Sequence, residues 1–539
     1  MTHRVLAPLA LSLLAASVAA CSGAPEEGFG DDDDLASAYS SSEAVLMDFE
    51  FDGQLVTDAT WDLKNTIEDQ MLYTIGHLNG DRSVGRLDAL ELTNIQQAKQ
   101  PDGTTKVTYH AKLPVSWGKK NAVPTSYDFT LPKNASYQGY EAFTKAYMHT
   151  CVEAGAHDVD SGSMWYYYRP TLGGCALAAT DVVKLTATAK VSKLNTTGKY
   201  PEFDKVWEDG ELNVVSVFGK FEDGKTTGDV GIDGFNTYVA AVRNELAAFK
   251  PTTSPATVPA NPGVAVPDVS FSATLPGGKK VNVSALLVDN VSSAPQTFYD
   301  RYEGLSTKAD LISYNGHAGL GQNVRALAKK GKFVKGKYLM VFMNGCDTFA
   351  YVDGSLAQTR AVLNADDPTG TKYMDIVTNT MPSYFSSMPL ASMALLRGLM
   401  KFDGPQTYQQ IFQNVDSSQA VVVTGEEDNA FAPSQPPPPP AGEWKGLTES
   451  FNVARQTEKR FAASKLPAGT YSFVLDGTGD ADLYVKVGTA PTTKTYDCRP
   501  FLGSSKERCE VKLKETSDVY VMVRGYAATS AVKLVGRKQ

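Results

Sequence analysis

The fold of the middle of this chain is constrained most by two short apolar segments. Each is followed by a turn that carries one reactive side chain. Residues 310–314 lead to His317, and residues 338–343 lead to Cys346. A segment with a helical pattern, 323–330, separates them. If the apolar segments are neighbouring parallel strands joined by that helix, both side chains leave the same carboxyl edge of a sheet, where open α/β sheets carry their sites. A thiol beside an imidazole is the minimum for a cysteine nucleophile with its base.

Length and charge narrow the class of protein. The chain has 539 residues, a length that predicts three or four domains. Its composition, with 42% hydrophobic and 21% charged residues, is typical of globular proteins. Its formal net charge is −9 and its pI is about 5.4, which argues against a nucleic acid partner and favours an exported, soluble surface. Nothing in the sequence defines an oligomeric state.

Residues 1–20 are predicted to be an export signal, because Arg4 precedes an apolar stretch that is too short for a comfortable membrane span. The end of this stretch, Val18-Ala-Ala-Cys21, resembles the lipobox of bacterial lipoproteins. The resemblance implies a lipid anchor at Cys21 and a place in the cell envelope, at the outer membrane or cell surface. An ordinary secretory signal cut nearby is the alternative. Residues 21–43, with their acidic run, are expected to form a flexible tether.

The cysteines divide by spacing. Cys151 with Cys175, and Cys498 with Cys509, are local pairs suited to disulfides in an oxidising compartment. With Cys21 assigned to the lipid, this leaves Cys346 unpaired. A free thiol in an exported protein is either catalytic or a buried, inert core residue.

The patterns predict a multidomain protein. Residues 44–204 alternate as a β-rich N-terminal domain. Strands and helices alternate through 205–430, which predicts an α/β domain with a doubly wound, mostly parallel sheet. The segment 431–444 is a proline-rich linker, and 445–539 is predicted to be a small β-sandwich.

The turns at His317 and Cys346 resemble the caspase-like cysteine peptidases, in which one apolar block precedes His-Gly and a second precedes a small residue and Cys. The resemblance covers roughly 205–430. It implies a caspase-like α/β domain and a cysteine endopeptidase that needs no cofactor and cleaves peptides or proteins. Together with the predicted signal and anchor, this predicts an exported, lipid-anchored enzyme. Two positions depart from the family: Ala318 stands where Gly is usual, and Gly345 stands where Ala or Ser is common.

In such an enzyme Cys346 attacks the peptide carbonyl and His317 carries the proton. The backbone amides of Ala318 and Cys346 then stabilise the oxyanion. The alternative is a catalytically inactive cell-surface binding lipoprotein that uses the same folds.

Four acidic residues fall near the same predicted sheet edge. They are Asp347, Glu426, Glu427 and Asp428. Together they are candidates for a substrate pocket that accepts Lys or Arg, and a solvated loop is the alternative.

The last 95 residues closely resemble the bacterial pre-peptidase C-terminal domain, which accompanies secreted peptidases. The matching segments are 469–473, 479–485, 496–500 and 521–526, together with Cys509. Some relatives of this domain bind calcium, and Asp476, Asp480 and Asp482 are weak candidate ligands. Ordinary turn chemistry is the alternative for these three carboxylates.

Overall fold

A computed structural model describes residues 44–538, apart from 120–121, 156–157, 196–197, 416–418, 426–428, 430, 434–443 and 445. The chain forms two compact units, which divide after Pro433. No helix within the described ranges is both long enough and apolar enough to cross a membrane.

The first unit begins with a six-stranded antiparallel sheet. Its strands are β1 (Val45–Thr57), β2 (Ser83–Gly85), β3 (Glu91–Lys99), β4 (Thr105–Trp117), β5 (Ser126–Pro132) and β6 (Val182–Val191), in the order β2-β4-β1-β6-β5 with β3 beside β4. Alternate residues of β4, such as Val107, Ala111 and Leu113, are buried, as expected for a sheet with one covered face. The helices α1 (Leu63–Asn79), α2 (Tyr137–Tyr147) and α3 (Met164–Tyr167) contribute to the same core.

The first unit continues into an eight-stranded mixed sheet. Its strands are β7 (Glu211–Gly219), β8 (Thr252–Ser254), β9 (Asp268–Thr274), β10 (Lys280–Val288), β11 (Leu311–Asn315), β12 (Leu339–Asn344), β13 (Met374–Asn379) and β14 (Val421–Thr424). The spatial order is β14-β13-β12-β11-β7-β10-β9-β8. The pairings from β13 to β10 are parallel, whereas β14, β9 and β8 pair antiparallel.

Helices lie on both faces of this sheet. They are α4 (Phe203–Val206), α5 (Val230–Leu246), α6 (Gln296–Ser306), α7 (Gln322–Lys330), α8 (Thr348–Tyr351), α9 (Ser355–Leu363), α10 (Met388–Leu399) and α11 (Tyr408–Ile411). Val214 shares a core with Phe235 of α5, whereas its neighbour Val215 shares a second core with Phe298 of α6. Successive residues of a strand point to opposite faces, so both faces of β7 are covered.

The predicted fold class of residues 205–430 is wrong. Across all described residues the structure is β-rich, with several sheets and only 26% helix, and it shows no caspase-like doubly wound fold. The sheet is mixed because three of its eight strands run antiparallel to their neighbours. The segment 251–268 contains β8 and the first residue of β9. Hydrophobic periodicity indicates burial and does not give the direction of an edge strand.

The two sheets of the first unit are joined directly. The amide of Ala44 donates to the carbonyl of Val421 at 2.6 Å, and the hydroxyls of Ser116 and Thr380 are 2.5 Å apart. Phe349 and Ala350 of α8 are part of the core of the N-terminal sheet. The N-terminal sheet therefore contacts the segments that follow β12 and β13.

The second unit is a β-sandwich, as predicted from the alternating pattern. One sheet has the order β15 (Leu447–Ala454), β21 (Thr529–Lys538), β17 (Gly469–Gly477) and β19 (Glu507–Leu513). The other has the order β16 (Glu458–Leu466), β20 (Ser517–Gly525) and β18 (Ala481–Val487). Buried residues of all seven strands form one core between the sheets, including Phe473, Leu483 and Val521.

Candidate functional site

The turns that carry His317 and Cys346 leave the same edge of the mixed sheet. β11 and β12 pair in parallel, and their last residues, Asn315 and Asn344, are register partners. The amide of Gly316 donates to the carbonyl of Asn344 at 3.1 Å, so the two turns begin side by side. Parallel pairing thus places both turns at one edge.

Gly345 allows the two turns to approach closely. A Cβ atom at this position would lie 2.6 Å from the carbonyl oxygen of Gly316 and 3.3 Å from the amide nitrogen of Ala318. The first distance is shorter than side chains tolerate, so a larger residue would push the turns apart. The Ala or Ser common at the family's equivalent position does not fit this arrangement.

His317 is fixed by one hydrogen bond and two aromatic rings. Its Nε2 atom lies 2.9 Å from the carbonyl oxygen of Phe221, and because that oxygen only accepts, Nε2 carries the proton. The rings of Phe221 and Phe385 have centroids 5.2 Å and 5.1 Å from the imidazole centroid. The Nδ1 atom is buried and has no hydrogen-bond partner in the described part of the chain. The imidazole therefore has one buried acceptor atom that is not engaged by the described residues around the sheet edge.

Asp229 positions the segment that holds His317. Its carboxylate accepts hydrogen bonds from the amides of Phe221 and Glu222 at 3.1 Å and 2.8 Å, and it also caps α5 through the amides of Gly231 and Ile232. Asp229 is 3% exposed. The sequence can indicate that Asp229 caps a helix, because aspartate is common at that position. Its hydrogen bonds to the amides of Phe221 and Glu222 depend on the fold and cannot be predicted from the sequence.

Cys346 is not a free thiol in this structure. It is disulfide-bonded, and no described cysteine is free. The other four described cysteines form the Cys151–Cys175 and Cys498–Cys509 disulfides. Cys346 is 4% exposed, packs with Phe385 and Met388, and its Sγ atom lies 3.7 Å from the carbonyl oxygen of Ser383. A sulfur in a disulfide has no thiolate to attack a carbonyl.

Asp347 faces the N-terminal sheet and its helices. Its carboxylate accepts hydrogen bonds from the Tyr166 hydroxyl at 2.7 Å and from Asn79 Nδ2 at 3.4 Å. Its solvent exposure is 0%, and this burial raises the pKa of Asp347 from 3.8 to about 7, against the lowering effect of the Tyr166 hydrogen bond. It does not line an open pocket. The other predicted pocket residues, Glu426, Glu427 and Asp428, lie outside the described residues.

A row of asparagines under the turns is a feature that sequence reasoning missed. Asn315, Asn344 and Asn379 are the last residues of the adjacent strands β11, β12 and β13. Asn344 Nδ2 donates to Asn315 Oδ1 at 3.0 Å, and the amide of Gly345 donates to Asn379 Oδ1 at 3.2 Å. The sequence shows three apolar segments that each end in Asn. Only the structure shows that the three strands are parallel neighbours, so that the three side chains lie together.

The predicted calcium ligands differ in burial and partners within the C-terminal unit. Asp482 is 2% exposed and forms an ion pair with Arg499 at 2.7 Å, whereas Asp476 is exposed. In the described ranges no three His, Cys, Asp or Glu side chains are grouped to hold a metal ion. Calcium binding at Asp476, Asp480 and Asp482 stays a prediction.

The C-terminal sandwich belongs to a known class of accessory domain. Residues 464–525 match the family model of the bacterial pre-peptidase C-terminal domain, which confirms that prediction. The Neutral protease of Vibrio proteolyticus is 44% identical over 71 residues, which are 13% of this chain and 12% of that protein. The Zinc metalloprotease of Helicobacter pylori is 48% identical over 58 residues, 11% of this chain and 23% of that protein.

A solved structure is also similar to part of this chain. It is the solution structure of vEP C-ter 100, with 31% sequence identity to this chain. The match covers 16% of this chain and 88% of that chain, and its TM-score is 0.15. The chain thus spans less than a quarter of the length of either of the two curated relatives.

The predicted cysteine endopeptidase is wrong, and so is the assignment to cysteine-type, caspase-like enzymes. The matching relatives include a zinc metalloprotease, and neither the family model nor these relatives support a Cys-His dyad. The chemical reason is that Cys346 is oxidised and buried. These matches do not support a lipoprotein either. The anchor at Cys21 and the signal in residues 1–20 lie outside the described residues.

Proposed function

We propose that this chain is an exported bacterial hydrolase whose substrates are peptides or proteins. The observation that carries the proposal is the domain at 464–525, because the relatives that share it are named proteases. Two disulfides, Cys151–Cys175 and Cys498–Cys509, support export to an oxidising compartment. A lipid anchor at Cys21, as predicted from residues 18–21, would hold the protein at the cell envelope. Because the relatives match only over the C-terminal domain, the proposal concerns the substrate class and takes no mechanism from them.

His317 is the side chain that we propose for proton transfer in this hydrolase. The hydrogen bond from Nε2 to the carbonyl of Phe221 keeps a proton on Nε2, which leaves Nδ1 as the ring atom available for proton transfer. Imidazole is the commonest proton-transfer group near neutral pH. The rings of Phe221 and Phe385 limit water around it.

Release of labelled peptides from fluorescein-casein by the purified chain, with its disulfides intact, tests the proposal. We expect release by the native protein and at least about a hundredfold loss in His317→Gln, since general acid–base groups contribute that much or more. His110→Gln is the matched control, because His110 lies on β4 and forms an exposed pair with Asp52. We also expect iodoacetamide to leave the rate unchanged, because the described cysteines carry no free thiol.

Three results would count against this function or its site. Absence of release from casein and from a panel of peptides would overturn the hydrolase. Release that continues unchanged in His317→Gln would overturn the role of His317. Equal loss in His110→Gln would show that the effect is not local to the sheet edge.

A further inference from the structure

The outer face of the four-stranded sheet in the C-terminal unit contains a shallow groove. Its volume is about 480 Å³. Val474 of β17 and Val535 of β21 are direct register partners and form its apolar floor. Both are only half-buried although they lie in the centre of the sheet.

Basic side chains surround this floor. Lys533 and Arg537 flank Val535 on β21, and Arg508 lies opposite Val474 on β19. On a strand, residues two positions apart point to the same face, so Lys533, Val535 and Arg537 project together. Asp476, which is opposite Lys533, is the only acidic residue among those that line the groove within the described chain.

Two of these cations are not neutralised. Arg508 forms an ion pair with Glu510, but Lys533 and Arg537 have no ion pair among the described residues. The wider unit is also basic: residues 434–539 contain 16 Lys and Arg against 11 Asp and Glu, although the whole chain has a net charge of −9. The groove is therefore expected to attract negatively charged ligands, although the protein as a whole is negatively charged and repels them.

We propose that this groove binds an extended, acidic segment of a polypeptide substrate. Lys533 and Arg537 are four residues apart on one strand, roughly 13 Å, a spacing that two carboxylates on an extended peptide also reach. The valine floor suits small apolar side chains between those carboxylates. The described residues that line the groove include no aromatic ring of the kind on which a sugar would stack. The inference rests on the proposed function for its substrate class, and it names the type of sequence that the accessory domain selects.

Fluorescence anisotropy of a labelled peptide with the repeat Glu-Ser-Val-Ser, in which Glu and Val share one face of the extended chain, tests the groove in the full-length protein without any need for catalysis. We expect saturable binding at low salt that weakens as NaCl rises from about 50 mM to about 500 mM, because screening shortens the range of the attraction. Lys533→Glu/Arg537→Glu is expected to weaken binding at least about tenfold. Lys459→Glu/Lys494→Glu is the matched control, since it changes the net charge equally at exposed lysines outside the groove.

The outcomes separate this inference from the proposed function. No binding, binding that survives the groove variant, equal weakening in the control variant, or equal affinity for the same peptide with Lys in place of every Glu would overturn the groove. Casein release by a protein that fails to bind the acidic peptide would overturn the groove and leave the hydrolase. Binding by a protein that releases nothing from casein would overturn the hydrolase and leave the groove.

Discussion

The carboxylate of Asp347 accepts a 2.7 Å hydrogen bond from the hydroxyl of Tyr166, which lies 181 positions earlier in the chain. Both side chains are buried. Asp347 also has a left-handed backbone conformation, with φ of 48°, between β12 and α8. The turn that contains Cys346 is therefore held from the side by a helix of the N-terminal part, and this contact unites the two sheets of the first unit.

Removal of the Tyr166 hydroxyl should destabilise this turn. In Tyr166→Phe the Asp347 carboxyl loses its shortest hydrogen bond while it stays buried, and such a loss costs about 1–3 kcal/mol. Urea unfolding of the full chain measures the change. Tyr137→Phe is a suitable control, because Tyr137 is 70% exposed and its hydroxyl should contribute less than about 0.5 kcal/mol. Equal effects in both variants would contradict the importance of the buried contact.

Asp347 should also make stability depend on pH. The folded protein keeps the Asp347 proton up to about pH 7, whereas the unfolded chain releases it near its ordinary pKa of 3.8. Folding therefore binds a proton between these values, and this residue's contribution to stability falls as pH rises through that window, by at most about 1.4 kcal/mol per pH unit. Above about pH 7 its contribution is constant.

Asp347→Asn isolates this effect, because the amide keeps the shape of the side chain and has no proton to release. Between pH 5 and about pH 7, the stability of the native protein is expected to fall relative to that of the variant. Thermal unfolding of both proteins at matched pH values gives the difference. Parallel curves across the window would mean that Asp347 titrates normally in the folded state.

The sequence predicted well where the signal was local. The alternating residues of 445–539 predict the sandwich, and the apolar segments 310–314 and 338–343 correspond to the neighbouring strands β11 and β12. The sequence-based predictions failed for features that depend on contacts between residues far apart in the chain. Spacing could not reveal that Cys346 is oxidised, that Asp347 meets Tyr166, or that β14 runs antiparallel to β13. Each of these depends on the meeting of chain segments far apart in sequence.

The ion pair between Asp482 and Arg499 should stabilise the C-terminal unit through a loop next to a disulfide. Arg499 Nη2 lies 2.7 Å from the Asp482 carboxylate, and its guanidinium stacks on Phe501 at 3.9 Å from the ring centroid. In Arg499→Met the buried carboxylate loses its partner, and breaking a buried pair in this way costs about 3 kcal/mol. Hydrogen–deuterium exchange of peptides from β18 should report faster opening. The double variant Asp482→Asn/Arg499→Met removes the unpaired charge, so exchange in β18 should be slower than in Arg499→Met alone. If the double variant exchanges faster still, Arg499 acts through its packing on Phe501 and not through its charge.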